Sequence, residues 1–336
     1  MNSPDFQNKP LNSSWIEIVK KYNRPDLLKS WLQLSIDIFL YSCIWFLMFE
    51  SLSISYWITL GLSFPAAGFL VRLFIIFHDC GHGSYFKSRK LRDYTGLFIG
   101  ILTFTPYFAW INSHKVHHET AGNLDKRGTG DIWTMTVTEY NESSGWKKFA
   151  YRFYRNPLIM FLIGAPFLFI VGNRFTKKGM DKNGRLSVYF TNAGLLVYVV
   201  SLCLLTGVKA FLLVQVPIIY IAGILGIWLF YVQHQFDPSY WSRNNNWDYK
   251  KVALEGSSYY RLPRILQFFS GNIGFHHVHH LSPLIPNYNL SRCHRENSLF
   301  NEIKPLTFWK SFKTLSFRLW NEQTQQMVSF RKLRFS

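Results

Sequence analysis

Residues 54–82 read ISYWITLGLSFPAAGFLVRLFIIFHDCGH. The part from Ile54 to Phe77 is mostly apolar and uncharged apart from Arg72. It is long enough to cross a bilayer as one helix, which takes about 20 residues. The run then passes without a break into His78-Asp79-Cys80-Gly81-His82. An apolar span ending in histidines decides how the rest of the chain is read, because it describes a membrane helix that delivers imidazoles to the interface.

Three more stretches are long and nearly uncharged: Trp31–Phe49, Val188–Leu205 and Ala210–Val232. Four such segments, with Trp and Tyr near their ends, fit a polytopic membrane protein better than a soluble core. The first 30 residues are polar and hold no apolar core of a cleavable signal, so the first span is expected to act as its own insertion signal. The expected fold is an all-α integral membrane protein of one domain. A lead-in, 1–30, precedes four transmembrane helices in two hairpins. Interfacial helices and a cytoplasmic cap, from 78–187 and 233–336, hold a di-metal site.

The formal net charge is +18. The basic residues fall in the segments that the spans leave on one side, while the Glu50–Ser53 turn carries no Lys or Arg. That is a positive-inside pattern, suited to anionic headgroups. No zinc-finger or single-strand-binding signature accompanies the charge, so no nucleic-acid partner is expected. Cys43, Cys80, Cys203 and Cys293 are scattered and form no CxxC motif, as on a reducing cytoplasmic side.

Nine of the eleven histidines lie in three clusters. The second is His114-Lys115-Val116-His117-His118 and the third His276-His277-Val278-His279-His280. On a helix, residues three and four apart share a face. His78 and His82 therefore align, as do His114, His117 and His118, and His276, His279 and His280. His277 points off that arc and is not expected to be a ligand. The fourth span ends at Gln233-His234-Gln235, which brings His234 to the same interface. Nine candidate imidazoles exceed the four to six positions of one metal but fit two metals with room for oxygen or substrate. Ligand type alone admits zinc, copper, iron or nickel. No ExxH motif occurs, which excludes a carboxylate-bridged site of the helical-bundle type.

If the clusters share one site, an even number of crossings separates His118 from His276. The spans at 188–205 and 210–232 supply two. The short apolar runs Tyr94–Trp110 and Pro157–Gly172, broken by Gly and Pro, are therefore expected to be interfacial or re-entrant. Arg72 is expected to snorkel toward the interface.

HDCGH, HKVHH and HHVHH, in that order, resemble the three histidine boxes of membrane-bound fatty acid desaturases. The stretch Asn123–Thr134 (NLDKRGTGDIWT) and Tyr151–Pro157 (YRFYRNP) resemble the bacterial acyl-lipid desaturases more closely. The resemblance covers roughly residues 30–325. It implies two non-haem iron ions, O2 as co-substrate and insertion of a cis double bond into a membrane lipid acyl chain. It carries the ligand role to His78, His82, His114, His117, His118, His234, His276, His279 and His280. The extra His277 departs from the pattern. No His-Pro-Gly-Gly haem motif occurs, so a separate electron donor is implied: a ferredoxin, a flavodoxin or a cytochrome b5-like protein.

Asp79, Glu119, Asp131 and Asp237 are candidates to accept the outer N–H of a ligand histidine, Asp79 foremost. Asn272, at i−4 from His276, is expected on the same helical face. Phe104, Tyr107, Phe108 and Trp110 are read mainly as anchors of an interfacial helix, with an acyl channel as the alternative use. A lipid hydroxylase or carotenoid ketolase is the nearest rival, since it would use the same histidines. A metal transporter or a haem cytochrome would place ligands within the spans, where this chain has none.

Overall fold

The computed structural model describes residues 14–331; residues 1–13 of the lead-in and 332–336 of the cap lie outside it. A short helix, α1 (Ser14–Lys20), precedes the first hairpin, α2 (Leu27–Ser51) and α3 (Tyr56–His82). The Asp26 carboxylate caps α2 by accepting from the Lys29 amide at 3.1 Å, so α2 begins before the expected Trp31. α3 does not stop at Phe77 but continues through the first histidine cluster. It ends where Gly83, at φ 81°, takes the left-handed conformation that glycine adopts without strain.

The second hairpin is α9 (Lys182–Thr206) and α10 (Val208–His234), joined through Gly207. Among the described residues, these four helices are the ones long and apolar enough to cross a membrane. α3 is the most enclosed. Leu34, Tyr41 and Met48 of α2 and Val214 and Ile218 of α10 join Leu70, Leu73, Ile76 and Phe77 of α3 in one apolar core. Phe39 of α2 and Leu204 of α9 stay exposed, as lipid-facing side chains do.

Arg72 does not snorkel. Its Nε donates to Asp37 Oδ1 of α2 at 2.9 Å, its Nη1 donates to the Phe268 carbonyl, and its guanidinium lies 3.9 Å from the Phe268 ring centroid. Asp37 is fully buried, so a neighbouring carboxylate satisfies the arginine more completely than a route to the surface would.

Between the hairpins, α4 (Arg89–Leu102) and α5 (Tyr107–Thr120) meet at a bend of 102°. Gly96 permits the contact, because a Cβ there would lie 2.1 Å from the Tyr107 ring. After α6 (Val137–Glu142), α7 (Gly145–Tyr154) bends by 64° into Leu158–Arg174, which begins as π-helix and includes α8 (Ala165–Ile170). The C-terminal part folds as α11 (Tyr249–Glu255), α12 (Arg264–Phe269), α13 (His276–Leu281), α14 (Asn287–Glu296) and α15 (Phe308–Ser311).

Short strands, absent from the all-α expectation, stitch this part together. They are β1 (Met135–Thr136), β2 (Tyr259–Arg261), β3 (Pro305–Thr307), β4 (Leu319–Asn321) and β5 (Gln326–Val328). β4 pairs with β1 in parallel and with β5 antiparallel, and β2 pairs with β3 in parallel. The molecule is thus mostly helical, with the histidines gathered where the spans meet the C-terminal part.

Candidate metal centre

All nine candidate histidines converge, and they divide into two groups. His78, His82, His114, His118 and His279 form one, and His117, His234, His276 and His280 the other. Within each group the ligand atoms lie within 4.8 Å of one another. α3 supplies the first group and α10 the second, while α5 and α13 divide their histidines between both. Residues 114 and 118, four apart, turn to one group, and residue 117 turns to the other. His118 and His280 stack across the boundary, with ring centroids 4.2 Å apart.

The nitrogen spacings test whether a metal fits. Nε2 of His118 lies 3.1 Å from Nε2 of both His114 and His279. Nε2 of His234 lies 3.1 Å from that of His117 and 2.9 Å from that of His276. A neutral imidazole carries one N–H and cannot satisfy two such neighbours at once. One cation can. Two nitrogens at about 2.1 Å from a metal lie about 3.0 Å apart at right angles and about 3.4 Å apart at the tetrahedral angle. The observed spacings match right angles, and five donors exceed a tetrahedral zinc site. Nε2 of His82 and of His280 is buried with no hydrogen-bond partner among the described residues. The five-histidine group therefore fits a metal of higher coordination, and the four-histidine group supplies enough donors for a second metal.

Electrostatics favours the same use. Burial first, and the neighbouring imidazoles next, push His114, His118, His279 and His280 well below the ordinary histidine range. The same holds for His276. Neutral rings keep the lone pair that a metal needs.

Two carboxylates orient the rings. His117 Nδ1 donates to Asp131 Oδ1 at 2.6 Å, which turns its Nε2 toward His234. Asp131 reaches it from the Gly128–Asp131 loop, where Gly130 has φ 76° and a Cβ would lie 2.9 Å from the Ser113 carbonyl. His78 Nδ1 donates to Asp79 Oδ1 at 3.1 Å. The other Asp79 oxygen accepts from the amide and side chain of Asn287, at 2.7 and 2.9 Å. Sequence reasoning misses Asn287, which lies far along the chain and carries no local signal.

Other expectations do not hold as placed. Asn272 is not on the face of His276, because α13 begins at His276 and Asn272 sits in the preceding turn at φ 62°. Its Oδ1 accepts from Gln267. Glu119 pairs with Lys115 at 3.8 Å, and Asp237 accepts from the Met327 amide at 3.4 Å. His277 is buried outside both groups, its Nε2 2.9 Å from Nδ1 of His294.

A cavity of about 1280 Å³ opens beside the histidines. His78, His114 and His276 line it together with the apolar Phe74, Phe230 and Gly226, while Asp131, Lys177, Lys178 and Asp181 add charged groups to its lining. On α10 it runs from the His234 end down to Ile219, fifteen residues or about 22 Å of helix. Trp110 lines it and stacks on His114 at 4.3 Å. Tyr107 instead packs against Phe77, while Phe104 and Phe108 pack on the apolar core.

A family model described as fatty acid desaturase matches residues 54–311. The "Fatty acid desaturase" of Bacillus subtilis (strain 168) is 47% identical over 316 residues, which is 94% of this chain and 90% of that one. The "sn-1 acyl-lipid omega-3 desaturase (ferredoxin)" of Nostoc sp. (strain 36) is 28% identical over 79% of this chain and 72% of its own. An endoplasmic reticulum omega-3 fatty acid desaturase of Vigna radiata is 27% identical over 72% of this chain and 65% of its own.

Proposed function

The chain belongs to the fatty acid desaturase family, and on that premise we propose that it inserts a cis double bond into a lipid-linked acyl chain, using O2 and two iron ions held by the nine histidines. The observation that carries this reading is the pairing of two imidazole groups, one buried and one partly buried, with a long, mainly apolar cavity lined by histidines of both. Iron bound there would supply the strong oxidant that an unactivated methylene C–H bond requires. The overall change takes two hydrogens from adjacent methylenes, with O2, two electrons and two protons, to an alkene and two waters.

The protein's own part is positional. The apolar walls take up the chain and exclude water, and a fixed register presents one methylene pair beneath the histidines. Trp110, stacked on His114, borders the chain where it passes that group. Asp131 and Asp79 hold His117 and His78 in one orientation and tautomer. The electrons come from a separate carrier, a ferredoxin, flavodoxin or cytochrome b5-like protein; the name of the Nostoc relative supports a ferredoxin.

The proposed topology has four crossings, with both bent pairs remaining at the interface. The histidines and both termini then face the cytoplasm. Convergence of all three clusters supports it, since a crossing by Leu158–Arg174 would put the third cluster on the opposite side from the first two.

The test is expression in a host with saturated acyl chains and a usable donor, followed by lipid mass spectrometry. Oxygen-dependent loss of two hydrogens at one position is expected. Gain of one oxygen without a new alkene would move the protein to the hydroxylases and leave the metal site intact.

A further inference from the structure

A second cavity, of about 570 Å³, opens on the other side of α3. Leu70, Val71, Phe74 and His78 of α3 face the histidine cavity, while Arg72 faces this one. Lys29, Arg72, Arg261 and Arg264 line it, and no carboxylate among the described residues does. Two of these cations are engaged: Arg72 with Asp37 at 2.9 Å, and Lys29 with Asp26 at 3.8 Å. Arg261 and Arg264 are exposed, and their side chains make no ion pair or hydrogen bond with the described residues.

The surroundings are those of a bilayer boundary. Arg264 opens α12, whose Ile265 and Phe268 are 66% and 45% exposed. Phe269 anchors that helix against Phe69 of α3, with ring centroids 5.3 Å apart. On α2, Leu32 lines the cavity and is 52% exposed, and Leu28, next to Lys29, is 69% exposed. Lys29 lies in the first turn of α2, at the end of a span where headgroups begin. Unpaired guanidiniums thus sit between two apolar faces that need hydrocarbon.

We propose that this cavity binds the phosphate of an anionic glycerophospholipid, with Arg261 and Arg264 as its charge partners and the acyl chains lying along α2 and α12. A guanidinium fork matches phosphate oxygens in pairs. A zwitterionic headgroup offers the same phosphate but brings an ammonium into a cationic cavity. The proposal needs only the membrane setting and does not depend on the chemistry at the histidines.

The test is native mass spectrometry of the purified full chain in detergent, titrated with phosphatidylglycerol or phosphatidylcholine of matched chains. Phosphatidylglycerol should be held at least about tenfold more tightly. The Arg261→Gln/Arg264→Gln variant should lose that preference while keeping its metal content. If the double variant does not fold, Arg264→Gln alone, on an exposed side chain, should show a several-fold loss. Equal retention of the two lipids by the unmodified protein would overturn the proposal, as would an unchanged preference in the variants. Displacement of phosphatidylglycerol by millimolar inorganic phosphate would assign the cavity to free phosphate and also overturn it.

Discussion

Replacing Asp131 with Asn isolates the contribution of one carboxylate to the proposed iron centre. Asp131 Oδ1 accepts from His117 Nδ1 at 2.6 Å, and the two side chains are 10% and 1% exposed. The amide oxygen of Asn can still accept that proton, so ring orientation survives and the charge is lost. A hydrogen bond to a charged group contributes roughly 1.5–3 kcal/mol and a neutral one roughly 0.5–1.5. The difference, about 1–2 kcal/mol, is a loss of about 5–30-fold in metal affinity. That overlaps the roughly 10–100-fold effect usual for a residue that orients a metal-bound histidine. Asp131→Ala should cost more, because His117 Nδ1 would be left buried without an acceptor. The assay is iron content by elemental analysis after graded chelator challenge. His117 belongs to the four-histidine group, so the variants should lose one iron early and keep the other. Glu119→Gln, on a carboxylate that pairs with Lys115, is the control and should match the unmodified protein. Iron retention by Asp131→Asn equal to that of the unmodified protein, or loss of both irons together, would refute the reasoning.

His279→Ala should remove iron and abolish turnover, whereas His277→Ala should keep its iron and lose about 1–3 kcal/mol of stability through its buried contact with His294; full iron content in His279→Ala would count against the ligand assignment. Asp37→Ala leaves Arg72 without its carboxylate inside the bundle and should destabilise by about 3–5 kcal/mol, read as a lower melting temperature in detergent; an unchanged melting temperature would mean that the pair contributes nothing. Gly226 lines the histidine cavity, and beyond its chain neighbours and the backbone of its own helix nothing lies within 4 Å of the place a Cβ would occupy there, so Gly226→Phe should fold and obstruct the cavity. Turnover of long acyl chains should fall at least about tenfold with iron content unchanged, and an unaltered product profile would place the acyl chain elsewhere.

Much of this architecture is legible in the sequence because the bilayer demands it. A span needs a long apolar run, and four such runs stand out whatever they pack against. Helical spacing likewise groups the histidines of each cluster. What spacing does not contain is the division of one cluster between two sites. His117 parts from His114 and His118 because its ring meets His234 of α10 while theirs meet His78 and His82 of α3, and that meeting of helices is a tertiary fact. Asp37 is the one charged residue of the Trp31–Phe49 stretch, and nothing near it in the sequence shows what it meets. Its partner lies 35 residues away across the hairpin. Asn272 shows the opposite error. The i−4 rule presumes a helix, and the chain turns through a positive φ before α13 begins.

The arrangement also explains why so small an element as α13 can be fully buried. A six-residue helix has little intrinsic stability, and all six residues of His276–Leu281 are buried. Its imidazoles join groups supplied by α3, α5 and α10, so α13 ties the C-terminal part to both hairpins at once. Metal bound to either group would fasten α13 to a transmembrane helix end, and the free energy of binding would then contribute to the order of the surrounding fold. The two carboxylates act at the same junction from different distances along the chain. Asp79 ties His78 of α3 to Asn287 of α14, while Asp131 brings the loop after α5 onto His117. Each therefore links a histidine to a neighbouring element as well as setting its tautomer, which is why a substitution there should register in metal retention before it registers in the fold as a whole.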